Sequence, residues 1–161
     1  MRFPVAVVFR HTPLVNRWVS GRWDPFAVEP EPSPSPDEAA VSEDGACWRF
    51  AGQWLELHRS EAEGYHLNLT APDPKVFVMW RLADPGVVPP VHPVVVTVSY
   101  NEAARMLDGG EQVDAVPLPA TVRQWMEPFV AAHYKPEARR KVRRNDPFRD
   151  EAERQRREPR R

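Results

Sequence analysis

The sequence predicts an α+β fold, in which an antiparallel β-roll or small barrel of about seven strands is followed by C-terminal helices. Along the first two-thirds of the chain, apolar and polar residues alternate in several short runs. Because successive side chains of a strand point to opposite faces of a sheet, such runs are typical of half-buried antiparallel strands. After about residue 100, the apolar residues recur at helical spacing instead.

Seven runs carry the strand pattern. In chain order they are PVAVVFR, DPFAV, CWRF, WLELH, YHLNLT, KVFVMWRL and VVVTVSY. The residues AGQ can turn the chain between the third and fourth runs, and APDP can turn it between the fifth and sixth. We therefore expect the strands to follow one another in hairpin order, ahead of two helices.

The first predicted helix covers NEAARMLDGG, residues 101–110. Ser99 or Asn101 can cap its start, since the side-chain oxygen of either residue can accept a bond from a free backbone N–H. The pair Gly109-Gly110 is expected to end the helix, because glycine is favoured just after the last helical turn.

The second predicted helix runs from about Pro119 to Tyr134 and carries one apolar stripe. The stripe consists of Val122, Trp125, Met126, Phe129 and Val130. Pro128 lies inside this pattern, so either the helix kinks there or a new helix begins. We expect the stripe to cover an open end or edge of the sheet, with Trp125 in the core. A seven-stranded roll with such a helix would resemble the pleckstrin-homology class of fold.

Two Arg-Trp pairs occur close together in NRWVSGRWDPFAV, residues 16–28. In one interpretation Ser20-Gly21 forms a tight turn with a positive φ at the glycine, so that Trp18 and Trp23 pair across two strands. Arg17 and Arg22 would then face water. In the other interpretation the two pairs form a binding surface, because Trp and Arg are enriched at interface hot spots.

The charge is distributed unevenly along the chain. Residues 135–161 hold 12 basic and 6 acidic residues, and the rest of the chain holds 10 basic and 17 acidic residues. We expect one globular domain over residues 1–135, with a mobile acidic, proline-rich loop at about 29–45, and a basic, partly disordered tail over 136–161. The candidate partner-binding residues of the tail are Arg139, Arg140, Lys141, Arg143 and Arg144.

The sequence lacks most of the motifs that carry catalytic chemistry. The sequence has no glycine-rich phosphate loop, no paired metal spacing among its five histidines and no paired carboxylates on one helix face. We therefore predict no catalytic residues, metal ligands or cofactor. A thiol–imidazole pair of Cys47 with His58 or His66 on adjacent strands is a weak alternative. One cysteine and the absence of a signal peptide or membrane span predict a cytoplasmic protein.

Four long segments resemble a bacterial family of unknown function. They are PVAVVFRHTPLVNRWVSGRWDPFAV, EGYHLNLTAPDPKVFVMWRL, VTVSYNEAARMLDGGEQVDAVPLP and FVAAHYKPEARRKVRR, within residues 3–144. The family commonly occurs beside the genes of formate dehydrogenases, which use a molybdenum or tungsten pterin cofactor, and its members are sometimes labelled molybdopterin-guanine dinucleotide biosynthesis proteins. The resemblance implies a role in the maturation or assembly of a molybdoenzyme, and it supplies no catalytic residues.

Together, the residues and the resemblance predict a non-catalytic accessory protein that binds a protein partner. The expected partner is a subunit or maturation factor of a molybdenum-dependent formate dehydrogenase, and no membrane is expected. One alternative is an enzyme or carrier that acts on the molybdopterin cofactor. The other alternative is a nucleic-acid-binding module that uses the basic tail.

Overall fold

The computed structural model describes residues 1–15 and 21–136, which form two antiparallel sheets and three α-helices. The strands are β1 (Arg2–Pro13), β2 (Gly21–Pro30), β3 (Ala39–Val41), β4 (Cys47–Glu56), β5 (Lys75–Leu82), β6 (Val91–Thr97) and β7 (Val113–Pro117). The helices are α1 (Ala62–Thr70), α2 (Tyr100–Asp108) and α3 (Ala120–His133), with a 3₁₀ turn at Arg59–Glu61. The α+β prediction is confirmed.

The four-stranded sheet has the order β2-β1-β4-β3, and the three-stranded sheet has the order β6-β5-β7. The sheets approach each other at two places, where β4 lies beside β6 and β2 lies beside β7. Within the described residues neither pair forms a hydrogen-bonded ladder, so the sheets do not close into a barrel. No helix in this part of the chain is long and apolar enough to cross a membrane.

The core lies between β1 and β5, the inner strands of the two sheets. Alternate side chains of each strand are almost completely buried, as the two-residue period predicts. They are Val5, Val7 and Phe9 of β1 and Val76, Val78 and Trp80 of β5. The rings of Phe9 and Trp80 meet at 5.4 Å between centroids. This contact joins the two sheets.

Helix α3 packs on this core through the predicted stripe. Val122, Met126 and Val130 are buried, whereas Trp125 and Phe129 are partly buried at the margin. The Trp125 ring contacts Phe3 at 5.1 Å between centroids. The helix is continuous through Pro128, so no new helix begins there.

The run YHLNLT is helical, contrary to the strand prediction. Helix α1 buries Ala62, Tyr65 and Asn68, which are three residues apart and therefore lie on one helix face. The buried Asn68 donates to the carbonyl oxygens of Lys75 (2.7 Å) and Val98 (2.9 Å) and accepts from the Lys75 N–H (2.9 Å). Since α1 and α2 both lie between strands in the chain, the predicted order of strands first and helices last is wrong.

The residues AGQ do not turn the chain. CWRF and most of WLELH form one strand, β4, in which the register with β1 shifts between Val5 and Val7. Gly52 lies at this irregularity with φ of +75°, a conformation that glycine adopts without strain. Seven strands are nevertheless present among the described residues, because β3 and β7, which the alternation pattern missed, make up the number.

The acidic, proline-rich segment contacts β4. Glu31 is 7% exposed, and its carboxylate accepts hydrogen bonds from Arg49 Nη2 (3.0 Å), Ser35 Oγ (3.3 Å) and the Gly52 N–H (3.3 Å). A buried carboxylate is expensive unless it is paired in this way. The segment therefore contributes to the first sheet the end of β2, strand β3 and the buried Glu31, which forms an ion pair with the partly exposed Arg49.

Candidate functional site

The second half of β4 presents an open edge. Met1 and Leu57 exchange two hydrogen bonds, with the Leu57 N–H donating to the Met1 carbonyl oxygen at 2.8 Å and the Met1 nitrogen donating back at 3.2 Å. Backbone groups alternate in direction along a strand, so the N–H and C=O groups of Trp54 point away from β1. Strand β3 pairs with Trp48, Arg49 and Phe50 and leaves the Trp54 side of β4 uncovered.

Strand β6 presents a second open edge toward the first. The Trp80 N–H donates to the Gln112 carbonyl oxygen (3.1 Å), so the backbone groups of Trp80 and, by alternation, of Val78 point toward β7. Val96 lies opposite Val78. Its own N–H and C=O groups therefore point away from β5, toward β4. Pro93 lies in the same strand and has no N–H to offer, which is typical of an edge strand.

Between these edges lies a groove. It is lined by residues 52–54 and Glu56 of β4, residues 94–97 of β6, His58 and Glu102. Its volume is about 290 Å³. It continues past Gln53 and Val94 into a wider hollow of about 540 Å³ that is bordered by Asp37 and His92. Backbone edges, the Trp54 ring and a few polar side chains thus meet in one open channel.

The groove is acidic at both ends. At one end Glu102 accepts a hydrogen bond from Thr97 Oγ1 at 2.5 Å and forms no ion pair with any described residue. Asp37 at the other end is likewise without an ion pair in the described part of the chain. Glu56 is compensated, because it lies 2.8 Å from Arg2 Nε and 3.3 Å from His58 Nε2. The Arg2 guanidinium also stacks on the Trp54 ring at 4.5 Å.

A hydrogen-bonded corner holds the Glu102 end of the groove in place. Ser99 Oγ accepts from the Glu102 N–H (3.1 Å), which caps α2 as predicted, and donates to Glu61 Oε2 (2.7 Å). The Tyr65 hydroxyl accepts from the His58 N–H (3.0 Å) and donates to a backbone carbonyl. Burial raises the pKa of Tyr65 above its usual value, while the His58 N–H opposes this shift, so the hydroxyl stays protonated at neutral pH.

We expect Gly64→Ala to destabilise the protein, although alanine normally favours a helix over glycine by about 1 kcal/mol. A Cβ at Gly64 would lie 2.3 Å from Ser99 Oγ, so α1 and α2 would have to move apart. The expected cost is about 1–2 kcal/mol, measured by urea unfolding. In a Ser99→Ala background the clashing oxygen is gone, and the cost of Gly64→Ala should shrink. Equal costs in both backgrounds would show that the two helices are not in this contact.

Of the predicted Arg-Trp surface the structure describes only Arg22 and Trp23, and neither of them lines the groove. Arg17 and Trp18, like the tail residues Arg139, Arg140, Lys141, Arg143 and Arg144, fall outside the described residues. Trp23 lies on β2 opposite His11, with 5.0 Å between ring centroids, and it packs against the core. Arg22 is exposed, and its Nε lies 2.8 Å from Asp24 Oδ2. A role for Arg22 or Trp23 in binding stays a prediction.

The predicted turn at Ser20-Gly21 needs correction. Strand β1 ends at Pro13 and β2 begins at Gly21, so a longer connection joins them. Gly21 is not among the glycines with positive φ. Its lack of a side chain serves a different purpose, because a Cβ there would lie 2.1 Å from His11 Nε2. The cross-strand neighbour of Trp23 in the β1–β2 ladder is His11, and the predicted pairing with Trp18 lies outside the described residues.

The weak thiol–imidazole alternative is not supported by the geometry. Cys47 begins β4, whereas His58 follows the other end of that strand, eleven residues or about 35 Å away at the usual rise per residue. His66 lies on α1, where its ring stacks on Tyr134 with 3.9 Å between centroids. These residues are therefore not on adjacent strands. Among the residues that the structure describes, no group of three or more His, Cys, Asp or Glu side chains could hold a metal ion.

A family model described as "Protein of unknown function (DUF3305)" matches residues 4–143. The chain belongs to this family. The DUF3305 match contains the groove residues of β4 and β6 and all three α-helices, and it extends into the basic tail. Searches of the curated proteins and of the solved structures found no match.

Proposed function

We propose that this DUF3305 protein is a non-catalytic accessory protein that binds an extended segment of a partner protein in the groove between β4 and β6. One observation carries the proposal, namely that the backbone groups of Trp54 and Val96 point into the same groove from two open strand edges. Open edges are templates for another strand. Peptides that add to them gain affinity from main-chain hydrogen bonds and specificity from pockets for alternate side chains.

The side chains of the groove suit a peptide. Trp54 supplies an aromatic surface, Val94 is an exposed apolar side chain, and Glu102 supplies a charge. Open, elongated grooves of this kind accept a chain across their whole length. Small-molecule sites, in contrast, usually bury most of the ligand in an enclosed apolar cavity.

The resemblance to a family commonly encoded beside formate dehydrogenase genes supports the identity of the partner. We take it to be a subunit or maturation factor of a molybdenum-dependent formate dehydrogenase. The accessory protein would hold an extended segment of this partner during assembly. A single cysteine, Cys47, supports a reducing, cytoplasmic compartment for that step.

The test is capture of coexpressed formate dehydrogenase subunits and maturation factors by the tagged full-length protein. Trp54→Pro removes the ring and the N–H that points into the groove, whereas Trp54→Ala removes the ring alone. Proline is tolerated where a strand N–H has no partner. We expect Trp54→Pro to reduce capture about fivefold more than Trp54→Ala, since one hydrogen bond is worth about 1 kcal/mol.

Two further variants keep the test decisive. Val94 is exposed, so Val94→Lys should fold normally while placing a charged side chain in the groove, and it should also reduce capture. Phe26→Ala is the matched control. Phe26 is an exposed side chain on β2, which forms the far edge of the sheet that contains β4 and Trp54. If folded Trp54→Pro or Val94→Lys captures as much partner as the parent protein does, the proposal is overturned. Loss of capture in Phe26→Ala as well would also contradict it.

A further inference from the structure

The chain leaves its last helix beside the acidic end of the groove. Tyr134 follows α3, and its ring stacks on His66 of α1 with an interplanar angle of 12°. Lys135 borders a small hollow together with Arg59 and Ser60. Arg59 comes directly after His58, which lines the groove. The residues that follow Lys135 therefore start close to the Glu102 end.

The charges of the groove and of the following segment are complementary. Glu102 and Asp37 have no ion-pair partner among the described residues, and the chain up to residue 134 holds 10 basic and 17 acidic residues. The segment RRKVRR, residues 139–144, holds five basic residues and no acidic one. In an extended chain, Arg139, Lys141 and Arg143 share one face.

We propose that residues 139–144 of the same chain dock in the groove between β4 and β6 as an extended segment. Two residues, Glu137 and Ala138, lie between Pro136 and Arg139, and these three steps reach at most about 10 Å along an extended chain. The backbone of the segment meets the Trp54 and Val96 groups, and its basic side chains meet Glu102 and Asp37. The segment then covers the groove until a partner displaces it.

Tethering makes such docking effective even at low intrinsic affinity. A short flexible link holds the segment at an effective concentration on the order of 1 mM. An intrinsic Kd of about 0.1 mM would then keep the groove about 90% occupied. A free partner must compete with this local concentration, so the tail raises the partner concentration that is needed to fill the groove.

The test uses amide hydrogen exchange, measured residue by residue by NMR on the full-length protein without a partner. The Trp54 and Val96 amides point into the groove, so they should exchange rapidly when it is empty and slowly when the segment is docked. We expect neutralisation of Arg139, Arg140, Lys141, Arg143 and Arg144 to serine to speed exchange of the Trp54 and Val96 amides by up to about tenfold. The Leu57 and Trp80 amides, which have backbone acceptors, serve as internal references.

The matched control removes the same number of charges farther along the tail. It replaces Arg154, Arg156, Arg157, Arg160 and Arg161 with serine and should leave the Trp54 and Val96 amides protected. Rapid exchange of these amides in the parent protein, or equal acceleration by both variants, would overturn the proposal. Protection that disappears on dilution would place a second copy's tail in the groove and overturn it too. Because no partner is present, this result is independent of the capture experiment.

Discussion

Replacing Trp80 with alanine should lower the free energy of unfolding by about 3–5 kcal/mol, the range typical of removing a buried aromatic side chain. Trp80 is 2% exposed and lies on β5 with its ring against Phe9 of β1. Its Nε1–H donates to Asp114 Oδ2 at 2.7 Å. The substitution leaves a cavity between the two sheets and an unpaired carboxylate, and urea unfolding of the full-length protein measures the sum.

Two further variants separate these contributions. Trp80→Phe keeps an aromatic ring in the core but removes the donor to Asp114, so it should cost about 1–2 kcal/mol. Trp125→Ala should cost less than Trp80→Ala, because Trp125 is only partly buried beside Phe3. Equal costs for Trp80→Ala and Trp125→Ala would contradict the placement of the core between β1 and β5. The sequence alone would have assigned the larger effect to Trp125, in the middle of the α3 stripe.

The parts of the fold that the sequence predicts correctly are those in which one periodicity continues over enough residues. The alternation in β1, β5 and β6 and the stripe of α3 follow directly from burial of one face. The start of α2 was also predictable, because the Ser99 side chain forms a local cap with Glu102. These signals depend on neighbouring residues and need no knowledge of the rest of the chain.

The elements that sequence reasoning misses depend on tertiary partners. Tyr65, Leu67 and Leu69 alternate with polar residues as in a strand. The segment is nevertheless helical, because the helix places the Asn68 side chain where it can bond to the carbonyl oxygens of Lys75 and Val98. Such a short run fits either period. Strand β3 has three exposed residues and exists because it pairs with β4. Its formation is a property of the sheet and leaves little trace in its own composition.

The groove could not be predicted from residue types, because it depends on which strand edges remain unpaired. Trp54 and Glu102 come together only after β4 and β6 have been placed in different sheets. One local signal was available. Pro93 lies within an apolar run and indicates an edge strand, because proline has no N–H to donate to a neighbouring strand.

Gly52→Ala is expected to be the second costly substitution and to lower the free energy of unfolding by about 2–5 kcal/mol. At a φ of +75°, an alanine is strained by about 1–2 kcal/mol. In addition, its Cβ would lie 2.7 Å from both the nitrogen and the Cα of Asp37 and 2.8 Å from the Pro36 carbonyl oxygen. These are backbone atoms that cannot rotate away, so the segment that crosses Gly52 must move, at a further cost of about 1–3 kcal/mol.

Gly45→Ala is the matched control for backbone strain. Gly45 has a similar φ of +70°, but nothing lies within 4 Å of a Cβ built there, so only the strain of about 1–2 kcal/mol remains. Displacement of the crossing segment should also weaken the bond from the Ala51 N–H to the Glu38 carbonyl oxygen, which is 2.9 Å long. The Ala51 amide should therefore exchange faster in Gly52→Ala than in Gly45→Ala. If the two variants unfold at the same urea concentration and Ala51 stays protected in both, the crossing segment does not press on β4. Asp37, at the border of the groove, would then pack less closely against Gly52 than the distances to its backbone atoms indicate.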